Sequence, residues 1–333
     1  MSGASAPGKL VLTGEYAVLD GAPAIVTAID RRARVTVEDD AACRVAARGP
    51  GIAPAAFTLA PDGTPGWDSA AAGDDYRLLA AVTKTLAEHG PLPDDRPFGL
   101  QLDTAAFYSG ADKLGLGSSA ALTVALTAAL ARHLGRGFDQ GLALAAHRRL
   151  QGGEGSGLDV AAAIAGGVIR YAVGEPPSVE RIGWPAGLEV SFVWTGRSAR
   201  TTPRVRQYRD WRRSGAAAGL AGRLTEEAAE AAAVWQAGDC AAVLEATAAW
   251  ARRLAELDEA AGLGIRSGGH AELARLAETA GVVYKPSGAG GGDLGLAFAG
   301  DRQRLRSFGA AAERAGFRPL SLRPDDRGLA TVE

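Results

Sequence analysis

Residues 113–121 read Lys-Leu-Gly-Leu-Gly-Ser-Ser-Ala-Ala, and no other stretch restricts the fold as tightly. Gly115 and Gly117 allow backbone conformations closed to other residues and let a ligand approach closely. Ser118 and Ser119 stand where a helix should begin, because apolar residues then recur at helical spacing: Leu122, Ala125, Leu126, Ala129, Leu130. A glycine turn feeding a helix start aims unpaired N–H groups and the positive dipole end at one point, which suits an anion. A serine hydroxyl there can also reach a phosphate-bound Mg²⁺. The order differs from the common phosphate loop G-x-x-x-x-G-K-[ST], because here the lysine precedes the glycines and two serines follow. Taken alone, the stretch also fits a Gly/Ser turn that merely caps a buried helix.

Other glycine clusters shift the balance. The chain has 45 glycines, roughly twice the usual share for its 333 residues. One cluster lies at 151–159, Q-G-G-E-G-S-G-L-D. Another lies at 285–293, K-P-S-G-A-G-G-G-D. A Gly-Lys pair at 8–9 adds a fourth site. Each falls at a junction between regular elements, and one composite nucleotide and phosphate site accounts for all of them.

Size and charge bound the function. The length allows two domains with separate cores. A net charge of −2 gives no reason to expect nucleic acid or an anionic membrane as partner. Cys43 and Cys240 are too few and too far apart for a disulfide framework or a zinc site, which fits a cytoplasmic protein. The first residues show no signal peptide, and no apolar run approaches a membrane span.

The pattern predicts a short strand at 10–12 and two more at 24–29 and 34–38, then an irregular or short-stranded excursion over 41–73. A helix over 75–89 and a strand over 98–102 lead into the glycine stretch. Helices follow at 120–134 and 138–150, then a buried one from 160, and a strand over 168–171. A domain boundary is expected near 174–177, dividing the chain into 1–175 and 176–333. The second half reads as a strand (188–194), a basic segment (200–213), Ala-rich helices (225–261) broken near Gly238, and a helix (271–280). Strands at 282–284 and 294–298, a helix at 303–315 and a strand at 318–322 close the chain. On local pattern alone, Lys9 reads as a solvated charge at a strand entrance, Asp159 as a charge at a helix head, and the arginines from 200 to 213 as a solvated face. The functional alternatives are a phosphate-facing lysine, a carboxylate beside bound phosphates, and a grip on an anionic substrate.

These motifs resemble those of the GHMP kinase superfamily (galactokinase, homoserine kinase, mevalonate kinase, phosphomevalonate kinase). P-G-K-L…G-E-Y-A-V (7–18) resembles its first motif, G-L-G-S-S-A-A (115–121) its second, and S-G-A-G-G-G-D (287–293) its third. They come in the family order and span nearly the whole chain. Within the superfamily, G-S-G-L-D-V-A-A (155–162), the terminal Asp293 and W-T-G-R-S-A-R-T (194–201) are similar to the bacterial type of phosphomevalonate kinase. Arg200 departs from that pattern, where a small hydroxyl residue is usual.

The resemblance implies a two-domain α/β (α+β) fold. The N-terminal half would be like domain 2 of ribosomal protein S5 and the C-terminal half ferredoxin-like, with the active site between them. It implies ATP with Mg²⁺, bound over Lys113, Gly115, Leu116, Gly117, Ser118, Ser119, Ala120 and Ala121. Ser119 would be a metal ligand and Glu154 a second candidate. Lys9 and Asp159 would flank the transferring phosphoryl group. On the acceptor side it implies Glu15, Tyr16, Ser156, Gly157, Arg197 and Arg200, with Ser287, Gly288, Ala289, Gly290, Gly291 and Asp293 from the third motif. The expected reaction is ATP-dependent phosphorylation of phosphomevalonate by a monomer or homodimer. The alternatives are a mevalonate kinase or a kinase for another small anion, a decarboxylase acting on diphosphomevalonate, and a non-catalytic sensor.

Overall fold

The computed structural model describes residues 2–93, 96–153, 155–215 and 217–332. Strands β1 (Ser2–Thr13), β2 (Ala24–Asp39), β3 (Arg44–Arg48), β4 (Ala55–Leu59) and β5 (Pro65–Trp67) come first. Helices α1 (Ala70–Asp75) and α2 (Arg77–Ala87) precede β6 (Phe98–Asp103) and the small hairpin β7 (Tyr108–Ser109) and β8 (Asp112–Lys113). Then come α3 (Ser118–His133), α4 (Gln140–Leu150), α5 (Leu158–Ala165), β9 (Val168–Ala172) and β10 (Ser178–Ile182). The rest is β11 (Glu189–Trp194), α6 (Thr201–Arg213), α7 (Ala218–Ala237), α8 (Cys240–Ala261), α9 (His270–Ala280), β12 (Val283–Pro286), β13 (Leu294–Ala299), α10 (Arg302–Arg314), β14 (Arg318–Leu320) and β15 (Ala330–Val332).

The first sheet runs β10-β9-β2-β6-β3-β4-β5, with β1 paired to β2 and to β15. The second is antiparallel, ordered β12-β13-β11-β14. Its chain order, strand–helices–strand–strand–helix–strand, is the ferredoxin-like arrangement. Helices α2 to α5 pack against the first sheet, with Val124, Leu126 and Leu130 of α3 on Val35, Leu100 and Leu102. A second core joins the sheets. Leu10, Leu12, Ile25 and Ile29 meet Phe192, Trp194, Leu296, Phe298 and Trp235.

Three expectations need correction. The predicted strand at 10–12 begins at Ser2, because Ala, Gly, Ser and Pro carry little strand signal yet are buried between β2 and β15. Pro7 is tolerated there at a register shift. The two strands predicted at 24–29 and 34–38 are one, β2. The charges at 30–32 imitate a turn, but Arg32 is buried and donates to the carbonyls of Ser5 and Gly328 and to Asp325. That cluster also ties the C-terminal tail to the first sheet. The expected division at 175/176 falls inside the β9–β10 hairpin, so by sheet membership the first unit runs to Ile182 and regains β15.

Candidate active site

Four chain segments meet at Lys9. The backbone N–H of Lys9 donates to Leu116 O at 2.9 Å, which stitches β1 to the loop before α3. Gly8 makes this possible, because a Cβ there would lie 2.5 Å from Leu116 O and 2.7 Å from the Phe107 ring. The Lys9 side chain then runs past Gly117, where φ is +78° and a Cβ would sit 3.2 Å from the lysine stem. Its ammonium lies 3.1 Å from Asp159 Oδ1 of α5. The two side chains are 12% and 31% exposed, so the pair is largely enclosed but reachable.

Both helices begin the same way. Gly117 caps α3 and Gly157 caps α5, each in the left-handed conformation and neither with a side-chain cap. First-turn N–H groups therefore face outward toward an anion, although the Leu158 N–H of α5 already donates to Ser156 Oγ at 3.5 Å. Leu116 is buried in the core between the sheets, and Ala120 and Ala121 are buried in the helix body. Ser118 is buried, whereas Ser119 is half-buried.

A cavity opens on the other side of Lys9. Of the residues named from the sequence, it is lined by Glu15, Tyr16, Ser156, Gly157, Asp159, Gly288 and Ala289. It is also lined by His147, Gln151, Thr201, Thr202 and Val205, which the sequence did not single out. Among the described residues lining it, Lys9 is the only lysine or arginine. Tyr16 adopts a positive φ of 64° and donates its hydroxyl to Ala289 O at 2.7 Å, and burial raises its pKa well above the ordinary phenol value. The Glu15 carboxylate is already engaged, by the fully buried Lys285 ammonium and by Trp250 Nε1 at 2.7 Å. Burial lowers the Lys285 pKa, and Glu15 opposes that shift.

The remaining expected residues hold loops in place. Ser287 Oγ accepts from Val11 N at 3.0 Å and donates to Val11 O at 3.1 Å. Gly290 packs on Ile265, and Gly291 lies under the Arg204 guanidinium. Asp293 stands behind Gly115, where a Cβ would come within 2.2–2.5 Å of its carboxyl group. Asp293 Oδ1 accepts from Ala199 N at 3.0 Å, and Asp293 N donates to Arg197 O at 2.7 Å. Burial raises the Asp293 pKa, opposed by that hydrogen bond and by Lys9, Lys113 and Arg204. Ser198 Oγ donates to Lys113 O at 2.7 Å, so the loop at 195–200 is held between the second and third motifs.

Lys113, Arg197 and Arg200 are exposed and do not line the cavity. Their carbonyls carry the contacts instead, including Arg204 to Arg200 O at 3.2 Å. Glu154 lies outside the described residues. His270 was missed as well. Its ring bridges Tyr284 Oη at 2.7 Å and Gly292 O at 2.8 Å, and burial lowers its pKa to about 4. A lone histidine at a helix start carries no specific signal in the sequence.

Residues 78–167 match the model of the GHMP kinases N terminal domain. The chain is 32% identical to a phosphomevalonate kinase of Streptomyces sp. (strain CL190), over 97% of both chains. A Lin0012 protein from Listeria innocua superposes with a TM-score of 0.85 at 26% identity, over 100% of this chain and 99% of that one. Streptococcus pneumoniae phosphomevalonate kinase, solved in complex with phosphomevalonate and AMPPNP, superposes with a TM-score of 0.80 at 21% identity, over 97% and 100%. With the three motifs assembled around one lysine–aspartate pair and a full-length relative at this identity, the chain belongs to the GHMP kinases and is a phosphotransferase.

Proposed function

We propose that the protein is a phosphomevalonate kinase, which transfers the γ-phosphoryl group of ATP to 5-phosphomevalonate and releases ADP and 5-diphosphomevalonate. The observation that carries this reading is the Lys9–Asp159 pair, set between two glycine-capped helix starts and opening on a cavity with a single lysine and no arginine among its described lining residues. The Streptomyces relative supports the acceptor.

Phosphoryl transfer needs positioning and charge neutralisation more than covalent chemistry. In this reading the ATP phosphates lie over 113–121, on the N–H groups at the head of α3. An oxygen of the acceptor phosphate attacks the γ-phosphorus, and the bond to the β–γ bridging oxygen breaks. Lys9 meets the charge that gathers on the transferring group. The acceptor phosphate is already ionised near neutral pH and needs no base. Asp159 therefore orients Lys9 rather than taking a proton. Ser156, which the resemblance also implies, binds the acceptor's anionic ends together with Thr201, Thr202 and the α5 N–H groups, whereas Arg197 and Arg200 lie outside the cavity.

The donor set suits Mg²⁺ brought in with the nucleotide. The described residues contain no cluster of three or more His, Cys, Asp or Glu, and Mg²⁺ is commonly held by one or two protein oxygens plus phosphates. Ser119 Oγ and Asp159 would be those oxygens. When bound, the metal would neutralise charge on the β- and γ-phosphates. Among the described residues no helix is long and apolar enough to cross a membrane.

The deciding experiment is ADP release from MgATP with phosphomevalonate, mevalonate, homoserine, a hexose or no acceptor. Turnover confined to phosphomevalonate is expected. Turnover with mevalonate instead would overturn the acceptor and keep the family.

A further inference from the structure

His147 belongs to none of the motifs, yet it touches both sides of the site. It lies in α4, is 3% exposed, and lines the acceptor cavity beside Lys9 and Asp159. Its Nε2 is 3.3 Å from Ser119 Oγ, a contact made across 28 positions of sequence. Burial lowers its pKa, with Asp159 opposing and Lys9 adding to the shift. A neutral imidazole has one nitrogen that accepts and one that donates. If Nε2 accepts the Ser119 proton, both lone pairs of Oγ stay free for a cation. If Nε2 donates, one lone pair is consumed.

We propose that His147 is a positioning residue that accepts the Ser119 hydroxyl proton and so presents the serine oxygen to the metal that accompanies the nucleotide. The inference rests on the reading in which ATP phosphates and Mg²⁺ lie over the α3 start. It assigns a task to a side chain that approaches the phosphate side of the pocket from beneath. Partners of metal ligands commonly change metal affinity by about 10- to 100-fold when removed.

The test is calorimetric titration with MgADP and with ADP in EDTA, using unaltered protein, His147→Met, His147→Gln, Ser119→Ala and the Ser119→Ala/His147→Met pair. His147→Met should weaken MgADP about tenfold and leave metal-free ADP within about twofold. Gln, whose amide oxygen can accept the same proton, should restore most of the loss. The double variant should be no weaker than Ser119→Ala alone, because both changes remove one interaction. Equal MgADP affinity in His147→Met and unaltered protein, or additive losses, would overturn the proposal.

If His147→Met does not fold, ¹⁵N ring spectra of the unaltered protein decide, with His147→Gln used to assign the signal. A proton on Nδ1 is expected, and a proton on Nε2 would refute the assignment. Failure of the unaltered protein to bind MgADP would instead remove the nucleotide reading, and this proposal with it.

Discussion

Lys9 and Asp159 act as a pair, and substitution should separate their roles. In the proposed mechanism Lys9→Met removes the cation that meets the transferring phosphoryl group, and it should lower kcat by about 10²–10³, in line with the loss of one preorganised charge contact. Its KM for ATP should change little, because the α3 N–H groups remain. Asp159→Asn keeps the shape and leaves Lys9 without its anion, 3.1 Å away in the unaltered protein. With phosphomevalonate as acceptor the expected loss is smaller, about tenfold, since no proton needs to be taken. Steady-state kinetics of both variants checks this. A larger loss for Asp159→Asn than for Lys9→Met would mean that Asp159 is a base. Gly115 poses a different constraint, because its φ is +73° and a Cβ would overlap the Asp293 carboxyl group. Gly115→Ala should cost about 1–3 kcal/mol in unfolding free energy and weaken MgADP binding, both measurable by titration.

Among the elements, the glycine loop over 287–293 is most dependent on its supports. His270 of α9 donates from Nε2 to Gly292 O, since a carbonyl can only accept, and takes a proton from Tyr284 of β12 at Nδ1. The folded ring titrates near 4 against an ordinary 6.5. Between those values the unfolded chain binds a proton that the folded one refuses. This contribution is therefore fully present above about 6.5 and lost as pH falls towards 4, by at most roughly 3 kcal/mol. Asp293 works in the opposite direction, because burial raises its pKa and the folded state gains a proton more readily. The difference between unaltered protein and His270→Gln isolates the ring. Denaturant unfolding from pH 7.5 to 4.5 should show a steeper loss in the unaltered protein than in the variant. Equal slopes would contradict a buried neutral ring.

The same elements show what a sequence can and cannot reveal. The start of α3 was legible because Gly-Leu-Gly followed by Ser-Ser and an apolar helix leaves few conformations open. The position of Asp159 at the head of α5 was legible for the same reason. The single long β2 was not, since the partners that neutralise Arg32 come from Ser5 and from 325–328. The exposure of Arg197 and Arg200 was equally hidden, because charge suggested the pocket while the backbone of 195–200 makes the contacts that hold this loop. His147 and Gln151 carry no local signal, for their meaning depends on which loop α4 packs beneath.

At the scale of the molecule, the cavity beside Lys9, proposed to hold the acceptor, is lined by residues of both units. Glu15 lies in the turn that follows β1 of one sheet, Lys285 belongs to a strand of the other, and Trp250 comes from α8. Lys285 is fully buried and also donates to Val11 O at 3.2 Å and Pro286 O at 2.7 Å. Such a pair adds little net stability when whole but is costly to break, because the surviving charge is left in a dry interior. Lys285→Met should therefore cost about 3–5 kcal/mol in unfolding free energy. Adding Glu15→Gln should recover part of that loss. The amide oxygen can still accept from Trp250 while the unpaired charge is gone. Function should follow the same cavity wall. In the double variant the KM for phosphomevalonate should rise while the KM for ATP stays within about twofold, since the nucleotide loop is tied to β1 at Leu116 and not at Glu15. Equal rises in both constants would mean that the buried pair sets the relation of the two units as a whole rather than the shape of the acceptor pocket.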